Sequence, residues 1–266
     1  MTGPMKGHAD SAAERLAVLE RYYDAVPRPT GTTEEVGPFT LFLADEGTGW
    51  QYYARPRLGL DTDVTPDDVR RVLARQAELG VPRALEWVDE VTPSLLPAVR
   101  EAVPGPHELE LCPLLVLPPG PAPEADRSRT RVLAADDPDL PQVVSAVDAA
   151  FADRDELAPR DTGKRGELIE AGLLVLVAVY DESGAVVGGG SAAPRGDTAE
   201  LMGIGVVPRA RRRGLGAAAT TALVAACRAD GVDTVFLSAA SDDATNVYRA
   251  LGFVPEGRAC ILGFDH

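Results

Sequence analysis

The sequence contains little cysteine and no long apolar run. Only three cysteines occur, Cys112, Cys227 and Cys260, and none has a histidine or a second cysteine at metal-ligand spacing. We therefore predict reduced thiols and no structural metal. No apolar stretch approaches the roughly 20 residues that a membrane span needs, and the first residues lack the pattern of a signal peptide. A cytoplasmic protein is expected.

Basic residues are also in the minority. Lys and Arg number 26 against 41 Asp and Glu, which gives a formal net charge of −15 at pH 7. This charge disfavours a general affinity for nucleic acid or anionic membrane, so neither is an expected partner. It is compatible with a cationic substrate, although solubility alone is the simpler explanation.

The first half of the chain predicts alternating helices and strands. Ala9–Ala25 has apolar residues at helical spacing, whereas Val26–Gly37 is rich in Pro, Gly and Thr and predicts a loop. A helix is predicted over Pro66–Leu79, because Thr65 can cap its start and Gly80 can end it. The other predicted elements are strands at 40–44, 51–54, 84–88 and 109–117 and a helix from Thr92-Pro93 to about Ala102.

A proline-rich run follows at Pro118–Pro123, and such runs are extended and semi-rigid. We predict a linker there, at 121–129, between a domain at 1–120 and a domain at 130–266. In the second domain the predicted strands are 131–134, 173–180, 185–193, 199–206, 234–239, 253–255 and 259–264, and the predicted helices are 140–151, 164–171, 215–229 and 243–251. Helices alternating with strands after a three-strand meander predict a mixed α/β or α+β sheet.

The loop at 211–216, with the sequence RRRGLG, lies between a predicted strand and a predicted helix. A helix start offers unpaired amides and a positive dipole end, and glycines let a ligand approach, so the loop suits a pyrophosphate. A solvated arginine run is the simplest alternative, but basic residues at a helix start are electrostatically unfavourable. Gly214-x-Gly216-x-x-Ala219 also matches the dinucleotide-binding fingerprint, which should instead open a doubly wound domain.

The segment from Thr130 to His266 resembles the GNAT superfamily of N-acyltransferases in its length, its element order and this loop. The resemblance implies an α/β (α+β) fold with a splayed, seven-stranded, mostly antiparallel mixed sheet flanked by helices. Acetyl-CoA would lie between strands 199–206 and 234–239. The residues implied to bind it are Ile204, Val206, Val207, Arg211, Arg212, Arg213, Gly214, Leu215, Gly216, Ala217 and Asn246. Gly203 and Gly205 suggest a bulge in the first of these strands.

Two residues are candidates for proton transfer. Tyr248 precedes Leu251-Gly252-Phe253, and in GNAT enzymes a tyrosine at this spacing protonates the departing thiolate; the alternative is a tyrosine that only packs. Glu200 lies in Ala199-Glu200-Leu201, which resembles the segment that carries the general base of GNAT histone acetyltransferases. The alternative is a glutamate that faces solvent or pairs with an arginine. Asn246 either contacts CoA or caps a turn.

Residues 39–117 repeat part of the same pattern and resemble a degenerate GNAT-like domain, so that the chain would hold two such domains in tandem. The anion loop is missing here, and Asp67 and Asp68 at the helix start would repel a pyrophosphate. We expect a structural role for this half, with Glu86-Trp87 either lining an acceptor pocket or forming ordinary core.

The resemblance implies an N-acetyltransferase that uses acetyl-CoA and no metal. Its acceptor would be a small-molecule amine or a protein amine, and a homodimer is one arrangement that the sequence allows. Two alternatives stay open. One is a non-catalytic acyl-CoA-binding regulatory module, and the other is an interaction protein whose loop binds another phosphate ligand.

Overall fold

The computed structural model describes residues 11–46, 53–105 and 108–264. Its helices are α1 (Ala12–Ala25), α2 (Pro66–Leu79), α3 (Leu95–Ala102), α4 (Leu140–Phe151), α5 (Arg165–Glu170), α6 (Leu215–Ala229) and α7 (Asp242–Ala250). Its strands are β1 (Gly31–Val36), β2 (Phe39–Ala44), β3 (Ala54–Pro56), β4 (Ala84–Val88), β5 (Glu108–Leu117), β6 (Thr130–Val132), β7 (Val175–Tyr180), β8 (Val186–Arg195), β9 (Thr198–Val206), β10 (Thr234–Ser238) and β11 (Val254–Gly263). Short 3-10 turns lie at Arg28–Thr30 and Pro208–Ala210.

These strands form one mixed sheet in the order β1-β2-β3-β4-β11-β5-β10-β9-β8-β7-β6. The pairs β3–β4 and β9–β10 are parallel, and the other neighbouring strands are antiparallel. The predicted fold class, a mostly antiparallel mixed sheet flanked by helices, is confirmed. None of the helices in the described ranges is long and apolar enough to cross a membrane.

The two halves of the sequence interleave in the middle of this sheet. Strand β5, from the first half, lies between β10 and β11, while β11, the last strand, lies between β4 and β5. The β5–β11 ladder extends from Val116↔Val254 to Glu108↔Gly263. Residues 130–264 therefore contribute six strands, and β5 stands as the seventh beside them. The linker at 121–129 stays a prediction, but the sheet is not divided there.

Helices cover both faces of the sheet, because successive residues of a strand point to opposite faces. On β10, Phe236 packs with α1, whereas Val235 and Leu237 pack with α6. Helix α4 lies on the α1 face, over β7 and β8, and α2 and α3 lie on the α6 face, over the strands of the first half. This arrangement leaves separate cores above and below the strands that carry the predicted site.

Several helix ends follow from local chemistry as predicted. The hydroxyl of Thr65 accepts a hydrogen bond from the amide of Asp68, whose carboxylate accepts one from the amide of Thr65 in return, at 3.3 and 3.1 Å. This capping box begins α2, and Gly80, with φ of 66°, ends it. Helix α6 begins at Leu215 and ends at Ala229, the bounds that the sequence predicts.

Two predictions about the strands were wrong. The predicted loop 26–37 contains β1, which pairs with β2 along its whole length. Its Pro and Gly residues mark the ends of this strand, and β-branched residues inside it suit a paired strand. The predicted strands 253–255 and 259–264 are one strand, β11, with a register shift between Pro255 and Gly257. Such a bulge interrupts the pattern of a strand without ending it.

Smaller differences concern element bounds. Helix α3 begins at Leu95 rather than at Pro93, with Ser94 before it. Strand β3 covers Ala54–Pro56, whereas Gln51 and Tyr52 of the predicted strand lie outside the described residues, as do Ala9 and Asp10 of the first predicted helix. All three cysteines are free and buried.

Candidate active site

The site begins where two parallel strands separate. Strands β9 and β10 pair from Thr198↔Thr234 to Glu200↔Phe236, and β9 then continues to Val206 with no recorded partner on β10 in the described ranges. Its other edge remains paired with β8. The result is a wedge with one free strand edge, where the backbone of an extended ligand can pair. The adjacency of these two strands, which the sequence predicts, is confirmed.

A bulge shapes β9 inside this wedge. The β8–β9 register shifts between Gly189↔Gly205 and Ser191↔Met202, and Gly203 adopts a φ of 57°. Positive φ is a conformation that glycine adopts at little cost. The predicted bulge is therefore confirmed, and it bends the free strand edge next to the point of separation.

The start of α6 lies beyond the end of β9 and presents free amides. Gly214 precedes the helix with a φ of 75° and no side-chain cap. Within the described ranges, no protein acceptor is recorded for the amides of residues 212–217, the first such bond being Ala218 to Gly214. A Cβ atom built at Gly214 or Gly216 would meet nothing within 4 Å. The helix start is thus open, positive in potential and suited to a phosphate.

The side chain of Arg211 binds other groups of the protein, although its sequence position suggests that it faces a bound anion. Its side chain donates to the carbonyl oxygens of Val206 and Ala150 and to the carboxylate of Asp153, at 3.0, 2.8 and 2.7 Å. Its amide donates to Pro208. Arg211 therefore fastens the loop to the end of β9 and to the end of α4, and its role in cofactor binding stays a prediction.

Arg212 and Arg213 are exposed like Arg211, but neither of them forms an ion pair that is recorded within the described ranges, whereas Arg211 pairs with Asp153. Arg212 has a φ of 64°. The carbonyl of Arg213 accepts a hydrogen bond of 2.7 Å from Arg129. Arg212 and Arg213 thus directly precede the open helix start in the chain, and the guanidinium of Arg129, the residue before β6, lies against the carbonyl of Arg213.

The other residues predicted at the strand edge have mixed surroundings. Ile204 is half-buried and packs towards α6. The carbonyl of Val206 already accepts from Arg211, and the amide of Val207 donates to Val187 at 2.9 Å. Leu215 is buried, and Ala217 is half-buried at the helix start.

Glu200 lies at the vertex of the wedge, at the last β9 position that pairs with β10. It is 9% exposed, and its carboxylate accepts a hydrogen bond of 3.1 Å from the hydroxyl of Tyr23. Burial raises the pKa of Glu200 to about 8, and the like charge of Glu86 adds to the rise, whereas Tyr23 and Arg55 oppose it. Glu200 is neither the solvent-facing glutamate nor the directly paired one that the sequence left as alternatives.

Around Glu200 lies a buried group of polar residues from the first half of the chain. Arg55 on β3 forms ion pairs with Glu86 at 2.9 Å and with Glu20 at 3.4 Å. Its guanidinium lies 4.1 Å from the centre of the Tyr23 ring. Tyr23 and Arg55 were not predicted as site residues, since Tyr23 belongs to the apolar positions of the first predicted helix. A signal that could have pointed to such a group is Arg55, a charged residue directly after the predicted strand 51–54.

Tyr248 lies on the opposite face of the sheet from Glu200. It is half-buried on α7, where its ring packs edge-on against Phe253 with centroids 5.9 Å apart. Burial raises the pKa of its phenol. Asn246 is exposed, and Ser241 caps α7 by accepting a hydrogen bond of 3.2 Å from Ala244. Capping by Asn246 is therefore not needed.

The C-terminal half matches a known protein family. Residues 141–253 match the model of the acetyltransferase (GNAT) family. This segment is a GNAT domain. It includes the wedge, the open start of α6, Glu200 and Tyr248, and acyl transfer is the general activity that its family supports. Among curated proteins, none matches the sequence.

Solved structures resemble nearly the whole chain. A GCN5-related N-acetyltransferase from Kribbella flavida is 22% identical, with a TM-score of 0.73 over 94% of this chain and 96% of its own. A GCN5-related N-acetyltransferase-like protein from Streptococcus suis is 12% identical, with a TM-score of 0.57 over 96% and 100%. A tandem GNAT protein from the clavulanic acid biosynthesis pathway is 17% identical, with a TM-score of 0.53 over 84% and 77%. At these identities the likeness is one of fold, and it includes the N-terminal half.

The two halves of this GNAT-like fold differ at the corresponding helix starts. The amide end of α2 is closed by its capping box and carries Asp67 and Asp68 in the first turn. The start of α6 has no cap and is flanked by arginines. Only the second arrangement leaves amides and positive charge for an anion. Within the described ranges, no group of three or more His, Cys, Asp or Glu side chains is arranged to hold a metal ion.

Proposed function

We propose that the protein transfers the acetyl group of acetyl-CoA to the primary amine of a small molecule or a protein by direct attack. The observation that carries the proposal is the wedge between β9 and β10, which places a free strand edge between the open start of α6 and the buried carboxylate of Glu200. The pyrophosphate would lie against the free amides of α6. The pantetheine arm would extend along β9 and bring the thioester to the vertex.

Glu200 is the proposed base. An acceptor amine is protonated at neutral pH and must lose a proton before it attacks the thioester carbonyl. Since the pKa of Glu200 is raised to about 8, its carboxylate form is the minor one at neutral pH and the major one above pH 8. Proton acceptance by Glu200 or by a water beside it should therefore become more effective as the pH rises through 8.

Tyr248 is the proposed acid. When the nitrogen–carbon bond forms, the carbon–sulfur bond breaks, and the departing thiolate needs a proton. A phenol has a pKa of about 10 and a thiol one of about 8.5, so the transfer needs only modest help from the site. Glu200 and Tyr248 lie on opposite faces of the sheet, which suits an amine that enters from the α1 face and a thiol that leaves towards α7.

The test is release of free CoA from acetyl-CoA in the presence of a panel of amines: diamines and polyamines, amino acids, aminoglycosides, and peptides with a free N-terminus or a lysine. Release that depends on one class of amine, together with a mass gain of one acetyl group on that amine, would support the proposal. If acetyl-CoA raises the melting temperature but no amine is acetylated, the alternative of a non-catalytic acyl-CoA-binding regulatory module takes its place. If acetyl-CoA and CoA both leave the melting temperature unchanged, neither function stands.

A pair of glycine variants tests whether acetyl-CoA binds at the start of α6. Gly216→Val adds a side chain at the open start of α6, while Gly263→Val adds one at a glycine on β11 that has equal room. The first should weaken acetyl-CoA binding, whereas the second should leave it unchanged. If both variants bind acetyl-CoA with equal affinity, the start of α6 is not part of the cofactor site.

A further inference from the structure

A chain of contacts connects the N-terminal half to Glu200. Glu86 on β4 contacts Arg55 on β3, the guanidinium of Arg55 lies over the ring of Tyr23 on α1, and the hydroxyl of Tyr23 donates to Glu200. Tyr23 is 5% exposed and Arg55 is 5% exposed. Buried polar groups that contact one another in this way hold each other in position, since a buried polar group is costly to leave without a partner.

We propose that Tyr23 is a positioning residue for Glu200 and that the Arg55–Glu86 ion pair sets the charge around it, so that the N-terminal half completes the active site. This inference rests on the proposed role of Glu200 as base. It gives the half that lacks an anion loop a part in the reaction, in place of the structural role that its sequence predicts.

The hydrogen bond from Tyr23 restricts the carboxylate of Glu200 to one orientation at the vertex of the wedge. Because Tyr23 donates to Oε1, this bond favours the charged form of Glu200. Packing of α1 on the sheet also fixes the ring of Tyr23, which meets Phe236 edge-on with centroids 5.5 Å apart. Phe236 is the residue opposite Glu200 on β10, so one aromatic contact holds both the base and its donor.

The charges around Glu200 act in opposite directions. Glu20, Tyr22 and Tyr23 come from α1, Arg55 from β3 and Glu86 from β4, while β10 presents the uncharged Phe236. Tyr23 and Arg55 favour the carboxylate of Glu200, and Glu86 disfavours it. Loss of Glu86 would remove a like charge and would also free part of Arg55, and both effects favour the carboxylate.

The proposal therefore predicts that two variants shift the pH dependence of kcat/KM in opposite directions. Tyr23→Phe removes only the hydroxyl and should move the acidic limb of the kcat/KM profile to higher pH by about one unit, the size expected for a hydrogen bond to a charged group. Glu86→Gln keeps the size of the side chain and should move the limb to lower pH. Glu200→Gln, measured alongside, should abolish the limb.

Tyr180→Phe is the control, because Tyr180 is a phenol on β7 that donates to a different carboxylate, that of Asp139, at 2.7 Å. It should leave the limb where it is in the unmodified protein. Unchanged limbs in Tyr23→Phe and Glu86→Gln, or limbs that move in the same direction, would overturn the proposal.

A second measurement separates this inference from the proposed function. The melting temperature of the ligand-free protein between pH 5 and 10 reports the same ionisation of Glu200 without any turnover. If no amine is acetylated, the proposed function fails. The coupling to Glu200 would still be supported if the pH at which the melting temperature begins to fall moves in opposite directions in Tyr23→Phe and Glu86→Gln. If the displacements are absent there too, the coupling fails as well.

Discussion

Replacement of Glu200 by glutamine should make the protein more stable at alkaline pH while it lowers acetyl transfer. In the folded protein the pKa of Glu200 is raised from 4.5 to about 8, with burial as the main cause. The folded state therefore keeps a proton that the unfolded chain releases over this range. The stabilisation associated with this proton is fully present below pH 4.5 and is lost as the pH rises through 8.

The size of the effect follows from the same values. One unit of pKa corresponds to about 1.4 kcal/mol, so the difference between 4.5 and about 8 corresponds to about 5 kcal/mol once the group is fully ionised in both states. Glutamine is neutral at every pH and can still accept the hydrogen bond from Tyr23. We expect Glu200→Gln to match the unmodified protein near pH 5 and to exceed its melting temperature by about 10 °C near pH 9.

The assay is thermal unfolding of both proteins in a series of buffers from pH 5 to pH 9.5 at constant ionic strength. Glu110→Gln, which removes an exposed glutamate from β5, serves as the control and should follow the unmodified protein. Curves for Glu200→Gln and the unmodified protein that stay parallel over the whole range would refute the reasoning, because they would show that Glu200 ionises alike in the folded and unfolded states.

Four further variants concern the cofactor loop and Tyr248. Gly216→Val should leave the melting temperature nearly unchanged, since its side chain meets nothing within 4 Å, but should weaken acetyl-CoA binding at least tenfold by calorimetry; unchanged binding would contradict the assignment. Tyr248→Phe should lower kcat roughly 10- to 100-fold at unchanged acetyl-CoA affinity, and wild-type kcat would return Tyr248 to a packing role. Arg211→Ala should cost about 1–3 kcal/mol of stability in denaturant unfolding, because three side-chain hydrogen bonds are lost. Arg212→Ala should instead weaken acetyl-CoA binding at unchanged stability, and a reversed pattern for the two arginines would exchange their roles.

Local signals allowed much of the C-terminal half to be predicted. The bounds of α4 and α6 are those predicted from the sequence, because the signals are local: apolar periodicity in both, Pro141 at the start of α4, and Gly231 just after the end of α6. The wedge was implied by the resemblance to the GNAT superfamily, whereas the bulge beside it was indicated by Gly203 and Gly205 themselves. The strand β1 was missed for the opposite reason, as Pro and Gly signals at its ends outweighed a weak strand pattern.

Long-range pairing could not be predicted in this way. The contact of Tyr23 with Glu200 joins residues 177 positions apart, and no periodicity in either segment specifies its partner. The same holds for β5, whose apolar character predicts a buried strand but not the identity of its neighbours. The surroundings of Glu200, and with them its raised pKa, depend on this pairing, which is why the sequence left its role open.

Because β5 and β11 interleave, neither half of the protein forms a complete sheet from its own strands. Each half places its last strand inside the sheet of the other, so removal of residues 1–117 would open a gap between β10 and β11 and expose strand edges there. We therefore expect a truncation that removes residues 1–117 to destabilise the GNAT domain. The two halves exchange strands as the subunits of a strand-swapped dimer do, but here they belong to one polypeptide and are connected by the proline-rich segment after β5.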